Sequence, residues 1–318
     1  MKSSRRNFIR GALFGGVAAG LFSRNTARSA GPDPVDRRKL GRVGVEVSIL
    51  GLGLGSAFMD AFSHRLDAGH ATLEAALAKG INYWDTGRSY GPSEAMIAPV
   101  LQRNRNRVFL ASKSDARDYD GFKRDLETSL QVLRTNYIDL YQLHDLGREE
   151  LANLGHMESG AVRAAREAKD QKIIRAFGIT GHSDRGVLME CIKRFDPDTV
   201  LTIFLATEAG KGTYNELLNL ARSRQMGVIA MKTIRYGRAA RLPPVELLRY
   251  ALSLNGVDTA IVGLDSVDHL NENARLATGF KSMSAVDRLE FDQNAKNVLA
   301  GVEPPWEQPG YIDGSGVG

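Results

Sequence analysis

A single cysteine, Cys191, is all the thiol that this chain of 318 residues possesses, so no internal disulfide forms and the fold must rest on its core. Metal-ligand spacing is missing too: His64 and His70 with Asp60 and Asp67 read as a surface loop, and no metal is expected. Ser-His-Asp and Cys-His contexts are absent, which removes the hydrolases built on them. The body also lacks an excess of charge. Although the net charge is +5, six of the 42 basic residues (Lys2, Arg5, Arg6, Arg10, Arg24, Arg28) lie in the first 30, which hold no acid, leaving 36 basic against 37 acidic residues. That balance offers no surface for tracking phosphates and excludes nucleic acid as a partner. The apolar stretch from Gly11 to Phe22 is too short to span a bilayer, so no stable membrane span is expected after processing.

What the first thirty residues do contain is a basic start, Ser4-Arg5-Arg6-Asn7-Phe8-Ile9-Arg10, followed by that Gly- and Ala-rich run. The paired arginines resemble a twin-arginine signal, which implies the twin-arginine export machinery as a partner and a periplasmic or otherwise exported protein. Residues 1–30 are therefore read as signal peptide and 31–44, with Pro32 and Pro34, as a linker. From 45 to 300 the chain alternates. Eight β-rich runs begin near Val47, Ile81, Val108, Ile138, Ile173, Val200, Val228 and Thr259. Helical spacing separates them, as in Phe122-Leu126-Leu130-Leu133, Ala161-Ala165-Ala168 and Leu217-Leu218-Ala221. Eight such runs, at intervals close to the roughly 30 residues of a strand-helix unit, favour an α/β fold of the (β/α)8 TIM-barrel type in a single domain over an open doubly wound sheet. Two helices follow the last run, about Val267 to Ala277 and about Ala285 to Leu299. The tail, 301–318, either lies over the barrel mouth or is loose.

In such a barrel the reactive residues sit where strands end and loops begin. Reducing a carbonyl needs a hydride on carbon and a proton on oxygen, and a phenol is a poor proton shuttle at its ordinary pKa of about 10. An ammonium beside it stabilises the phenolate, a carboxylate keeps that ammonium charged and in place, and a neutral histidine orients the substrate oxygen. Asp85 ends the second run, Tyr90 follows in Asp85-Thr86-Gly87-Arg88-Ser89-Tyr90-Gly91, Lys113 ends the third and His144 the fourth.

On these residues the chain, from about Leu40 to Asn273, resembles the aldo-keto reductases. The resemblance implies Tyr90 as general acid/base, Lys113 as its tuner, Asp85 as partner of the lysine and His144 as substrate orienter. It implies a nicotinamide cofactor, a small carbonyl or alcohol as substrate, and hydride transfer between them. The alternative is an exported cofactor-binding or sensor module on the same barrel.

Gly51-Leu52-Gly53-Leu54-Gly55-Ser56 fails the G-x-G-x-x-G fingerprint, and its glycines read instead as room for a ligand at the mouth; the resemblance implies that Gly53 lies near the cofactor. The resemblance further implies cofactor contacts from Thr180, Gly181 and His182, where the family has a Ser-Asn pair, from Met231, where many members have an aromatic ring, and from Lys232. Gly263, Ser266, His269, Glu272 and Asn273 fall on its adenine side. Gly263 and His269 stand where the family's usual cations meet a 2′-phosphate. Arg235, Arg238 and Arg241 either replace those cations or form a solvated face. NADP is the expected cofactor, with NAD open.

Overall fold

Ten strands are found among the described residues of the computed structural model, which describes 33–182, 184–206, 213–234 and 242–300 together with Trp306 and Asp313. Two of them, β1 (Arg37–Lys39) and β2 (Glu46–Ser48), pair antiparallel as a hairpin. The other eight are β3 (Leu50–Gly53), β4 (Tyr83–Asp85), β5 (Phe109–Ser114), β6 (Ile138–Leu143), β7 (Ile174–Gly181), β8 (Thr199–Ile203), β9 (Gly227–Met231) and β10 (Thr259–Gly263). Each pairs parallel with its neighbours in the ring, and β10 closes on both β3 and β9, so the sheet has no edge. This is the expected (β/α)8 barrel in one domain.

The strands read as apolar runs because each is covered twice, by the barrel interior and by a helix. Every residue of Phe109–Ser114 and Ile138–Leu143 is buried. The helices lie where the 3.6-residue spacing puts them. Tyr119–Leu133 turns Phe122, Leu126 and Leu133 inward, and the Asp118 carboxylate caps it by accepting the Gly121 N–H at 2.8 Å. Val267–Ala277 starts at Ser266, whose hydroxyl accepts the His269 N–H. Cys191 is buried and unbridged on Arg185–Phe195, and burial pushes its thiol up to about 12.

Two expectations need correction. The segment 31–44 is not a linker throughout: from Arg37 it forms the hairpin under the barrel, with Leu40 fully buried. In it Arg38 donates to the carbonyls of Leu252 and Val257 at 3.0 and 2.7 Å. At the turn, Gly41 has φ +37°, and a Cβ on it would strike the backbone of Met226 and Gly227. His64 and His70 do not share a loop either. His70 lies on the helix Leu66–Ala78, its ring against the Met96 carbonyl at 2.9 Å.

Candidate active site

The C-terminal ends of the barrel strands bring Asp85, Tyr90, Lys113 and His144 to one mouth. Lys113, 1% exposed, donates to Asp85 Oδ1 at 2.5 Å and to the Thr86 carbonyl at 2.6 Å. Gln142, one strand on, donates to Asp85 Oδ2 at 3.4 Å. Burial raises the Asp85 carboxyl above its ordinary value even with the ammonium beside it. Lys113 Nζ lies 4.5 Å from the centre of the Tyr90 ring, and the Tyr90 hydroxyl is 3.4 Å from His144 Nε2.

The loop carrying Tyr90 is fixed from below. Thr86 N–H donates to Ala111 and Arg88 N–H to Lys113, extending the strand register past β4. Behind it, buried Glu94 pairs with Arg88 and accepts the Ser112 hydroxyl at 2.7 Å. Gly55 lets the ring come close, since a Cβ there would sit 3.3 Å from it.

The charge state of His144 differs from the neutral ring expected. Asp115 Oδ1 lies 2.8 Å from Nδ1 and Asp313 Oδ2 lies 3.2 Å from Nε2. A carboxylate accepts only, so a carboxylate at each ring nitrogen favours the doubly protonated, charged form. Burial works against that charge, but the bonds to Asp115 and Asp313 outweigh it and raise the pKa of His144.

Asp313 is the residue that reading the sequence missed. It comes from the tail, whose described residues Trp306 and Asp313 are both largely buried. Its carboxylate accepts from Tyr90 at 2.7 Å through Oδ2 and from Lys232 at 2.7 Å through Oδ1. Burial disfavours its charge, yet the bonds from His144 and His182 and the charge of Lys232 hold it well below the ordinary carboxylate range. Of the two readings of the tail, the described part fits the one over the mouth. No period or motif in the Gly-rich tail marks Asp313.

Beside Tyr90 lies a cavity of about 420 Å³ bounded by Gly53, Gly55, Met231, Lys232, Val262 and Gly263. Bare glycine backbone on two strands and apolar side chains between them suit a flat ring, and the start of the helix Val267–Ala277 after Gly263 suits phosphate. The residues therefore fit a dinucleotide. Four expected cofactor contacts, Gly53, Met231, Lys232 and Gly263, line this cavity. The others do not line it. Thr180 is fully buried, its hydroxyl taken by the Asp145 N–H at 2.7 Å, and the Gly181 carbonyl accepts from Thr202. His182 points Nδ1 at Asp145 (2.5 Å) and Nε2 at Asp313 (3.4 Å). Ser266 caps its helix and His269 pairs with Asp265 at 2.6 Å, while Glu272 is exposed and Asn273 buried on that helix. Arg235, Arg238 and Arg241 lie outside the described residues, as does the basic segment 1–30. Among the described residues no helix is long and apolar enough to cross a membrane.

The comparisons with known proteins agree with this geometry. L-galactose dehydrogenase of Arabidopsis thaliana is 26% identical over 295 residues, covering 78% of this chain and 90% of that one. An aldo-keto reductase of Bacillus halodurans, solved in its holo form, superposes with a TM-score of 0.69 at 22% identity over 82% of this chain and 96% of its own. An aldo/keto reductase of Klebsiella pneumoniae, solved in complex with NADP and acetate, superposes with a TM-score of 0.65 at 22% identity over 81% of this chain and 94% of its own. The model of the aldo/keto reductase family matches residues 50–241. By that match over more than half its length, this chain belongs to the aldo/keto reductase family and is an NAD(P)-dependent oxidoreductase.

Proposed function

We propose that the protein interconverts a small carbonyl compound and its alcohol, with Tyr90 as the general acid and base and NADP as the cofactor. The observation that carries this reading is the buried ammonium of Lys113, clamped by Asp85 and lying 4.5 Å from the Tyr90 ring at the edge of the cavity. A cation there lowers the cost of the phenolate, so the phenol yields its proton to a developing alkoxide and recovers it in the reverse direction. His144 Nε2 donates to the same oxygen and fixes its position between two donors. Gly53, Gly55, Met231 and Gly263 would hold the nicotinamide half of the dinucleotide and the helix behind Ser266 its phosphates. When bound, the dinucleotide supplies or accepts the hydride.

The experiment is Tyr90→Phe. It should bind NADPH as wild type does, read by the fluorescence of the reduced ring, while propanal reduction falls by about 10²- to 10⁴-fold, the usual size of an acid-base contribution. Equal rates in the two proteins would end the assignment. Titrating NADPH against NADH decides the cofactor: His269, already paired with Asp265, and Gly263 stand where the family's usual cations meet a 2′-phosphate, so NAD is the specific rival.

Export by the twin-arginine route, and with it a periplasmic location, is proposed from Arg5 and Arg6 and the apolar run behind them. Replacing both arginines with lysine should retain the protein in the cytoplasm; unchanged periplasmic recovery would dismiss the signal.

A further inference from the structure

The carboxylate of Asp313 uses its two oxygens differently. Oδ2 sits between the Tyr90 hydroxyl (2.7 Å) and His144 Nε2 (3.2 Å), the two donors assigned above to the reacting oxygen. Oδ1 sits between Lys232 Nζ (2.7 Å) and His182 Nε2 (3.4 Å), to which the proton transfer above gives no part. Both of these are built in. The Lys232 side chain is 9% exposed and that of His182 2%. Lys232 also holds φ +55°, a left-handed backbone costly for a residue with a Cβ and usually kept where function needs it. His182 is oriented from behind by Asp145, itself at φ +46°.

Two oxygen seats side by side, one for the oxygen that is reduced and one facing a buried lysine, select a substrate with two oxygens on neighbouring carbons, the second of them anionic. Resting on the function proposed above, we infer that Lys232 and His182 form a carboxylate seat beside Tyr90, that the substrate is a 2-oxo acid, and that Asp313 holds this place in the substrate-free chain. In the reaction C2 takes the hydride from the reduced dinucleotide and the carbonyl π bond breaks. Its electron pair takes the Tyr90 proton. The 2-oxo acid is reduced to a 2-hydroxy acid and the dinucleotide is oxidised. The carboxylate of the substrate stays on Lys232 throughout. A neutral aldehyde fills one seat only and leaves the lysine to Asp313 or water.

The test compares full-length protein on 2-oxo acids from pyruvate to phenylpyruvate, each against its own carboxamide. Wild type should favour the acid. Lys232→Met should lower the acid-to-amide ratio of kcat/KM by about 10- to 100-fold, the worth of one charge-assisted hydrogen bond. The ratio cancels any uniform loss. Independently of turnover, calorimetry without dinucleotide should find oxamate binding tighter to Asp313→Ala than to wild type, because the internal competitor is gone, and weaker to Lys232→Met. Either an unchanged ratio in Lys232→Met or acetate binding as tightly as oxamate would overturn the inference; the latter would mean a seat for one carboxylate rather than an adjacent pair. Failure here is separable from failure of the proposed reaction. Propanal reduction that depends on Tyr90 without preference for oxo acids removes the seat alone, whereas oxamate binding without Tyr90-dependent turnover removes the reaction alone.

Discussion

Replacing Lys113 with methionine keeps most of the side-chain volume and deletes the charge, which isolates what the ammonium contributes. In wild type Lys113 and Asp85 are each 1% exposed and bonded at 2.5 Å. Without the lysine, Asp85 keeps only the longer contact from Gln142 at 3.4 Å among the bonds its carboxylate makes to described residues. Removing one partner of a buried pair costs about 3–5 kcal/mol, because the other charge stays desolvated. At about 2–4 °C per kcal/mol for a domain of this size class, Tm should fall by about 6–20 °C. The deficit should depend on pH with a definite sign. Burial already raises Asp85, and Lys113 opposes that rise; in the variant the folded state binds the proton more tightly than the unfolded one, so stability recovers as pH falls. Scanning calorimetry from about pH 8 down to about pH 5 should show the gap to wild type closing. Adding Asp85→Asn should restore much of the loss at neutral pH, as a double-mutant cycle on a coupled pair requires. A drop below about 1 kcal/mol, or a gap that is flat in pH, would refute the argument that a buried ion pair organises this site.

Further outcomes follow from neighbouring groups. On the proposed role, an imidazolium His144 has an N–H at Nε2 whatever Nδ1 does, and Asp115 and Asp313 raise its pKa; carbonyl reduction should therefore be full at lower pH and decline as pH rises through that raised value. Asp115→Asn should move the decline toward acid, and an unshifted pH-rate profile would show that His144 does not set it. Burial raises Asp258 to about 6 although Gly41 and Val228 donate to it. A group with a raised folded pKa stabilises as pH falls through that value, so wild type should gain on Asp258→Asn in urea titrations between about pH 7 and about pH 4.5, and parallel curves would reject it. Gly41→Ala, with φ +37° and backbone in the way of its Cβ, should cost at least about 2 kcal/mol by the combined strain and clash; a variant with unchanged Tm would mean the hairpin adapts freely.

The barrel was legible because double burial leaves a simple mark. Strands such as Phe109–Ser114 are covered on both faces, so they stand out as short apolar runs at a regular interval, and closure follows from their number. That Asp85, Tyr90, Lys113 and His144 share one mouth was legible for a related reason: parallel strands all end there, which turns positions far apart in the chain into neighbours without any knowledge of packing. The same logic fails wherever position is set by something other than strand order. The Arg37–Lys39 strand looks like a linker because Pro32 and Pro34 precede it, although Arg38 spends its donors on backbone carbonyls. Asp313 lies 223 residues from Tyr90 in a tail without period, and nothing local says where it lands. That one missed contact reaches further than its size. By supplying the second carboxylate to His144 it favours the charged form of a residue expected at this mouth, and by standing on Lys232 it points to the seat inferred above, which no strand-end rule would single out. Chemistry at a barrel mouth is thus readable from sequence up to the identity of the groups, while their ionisation depends on which distant acid the chain brings to them.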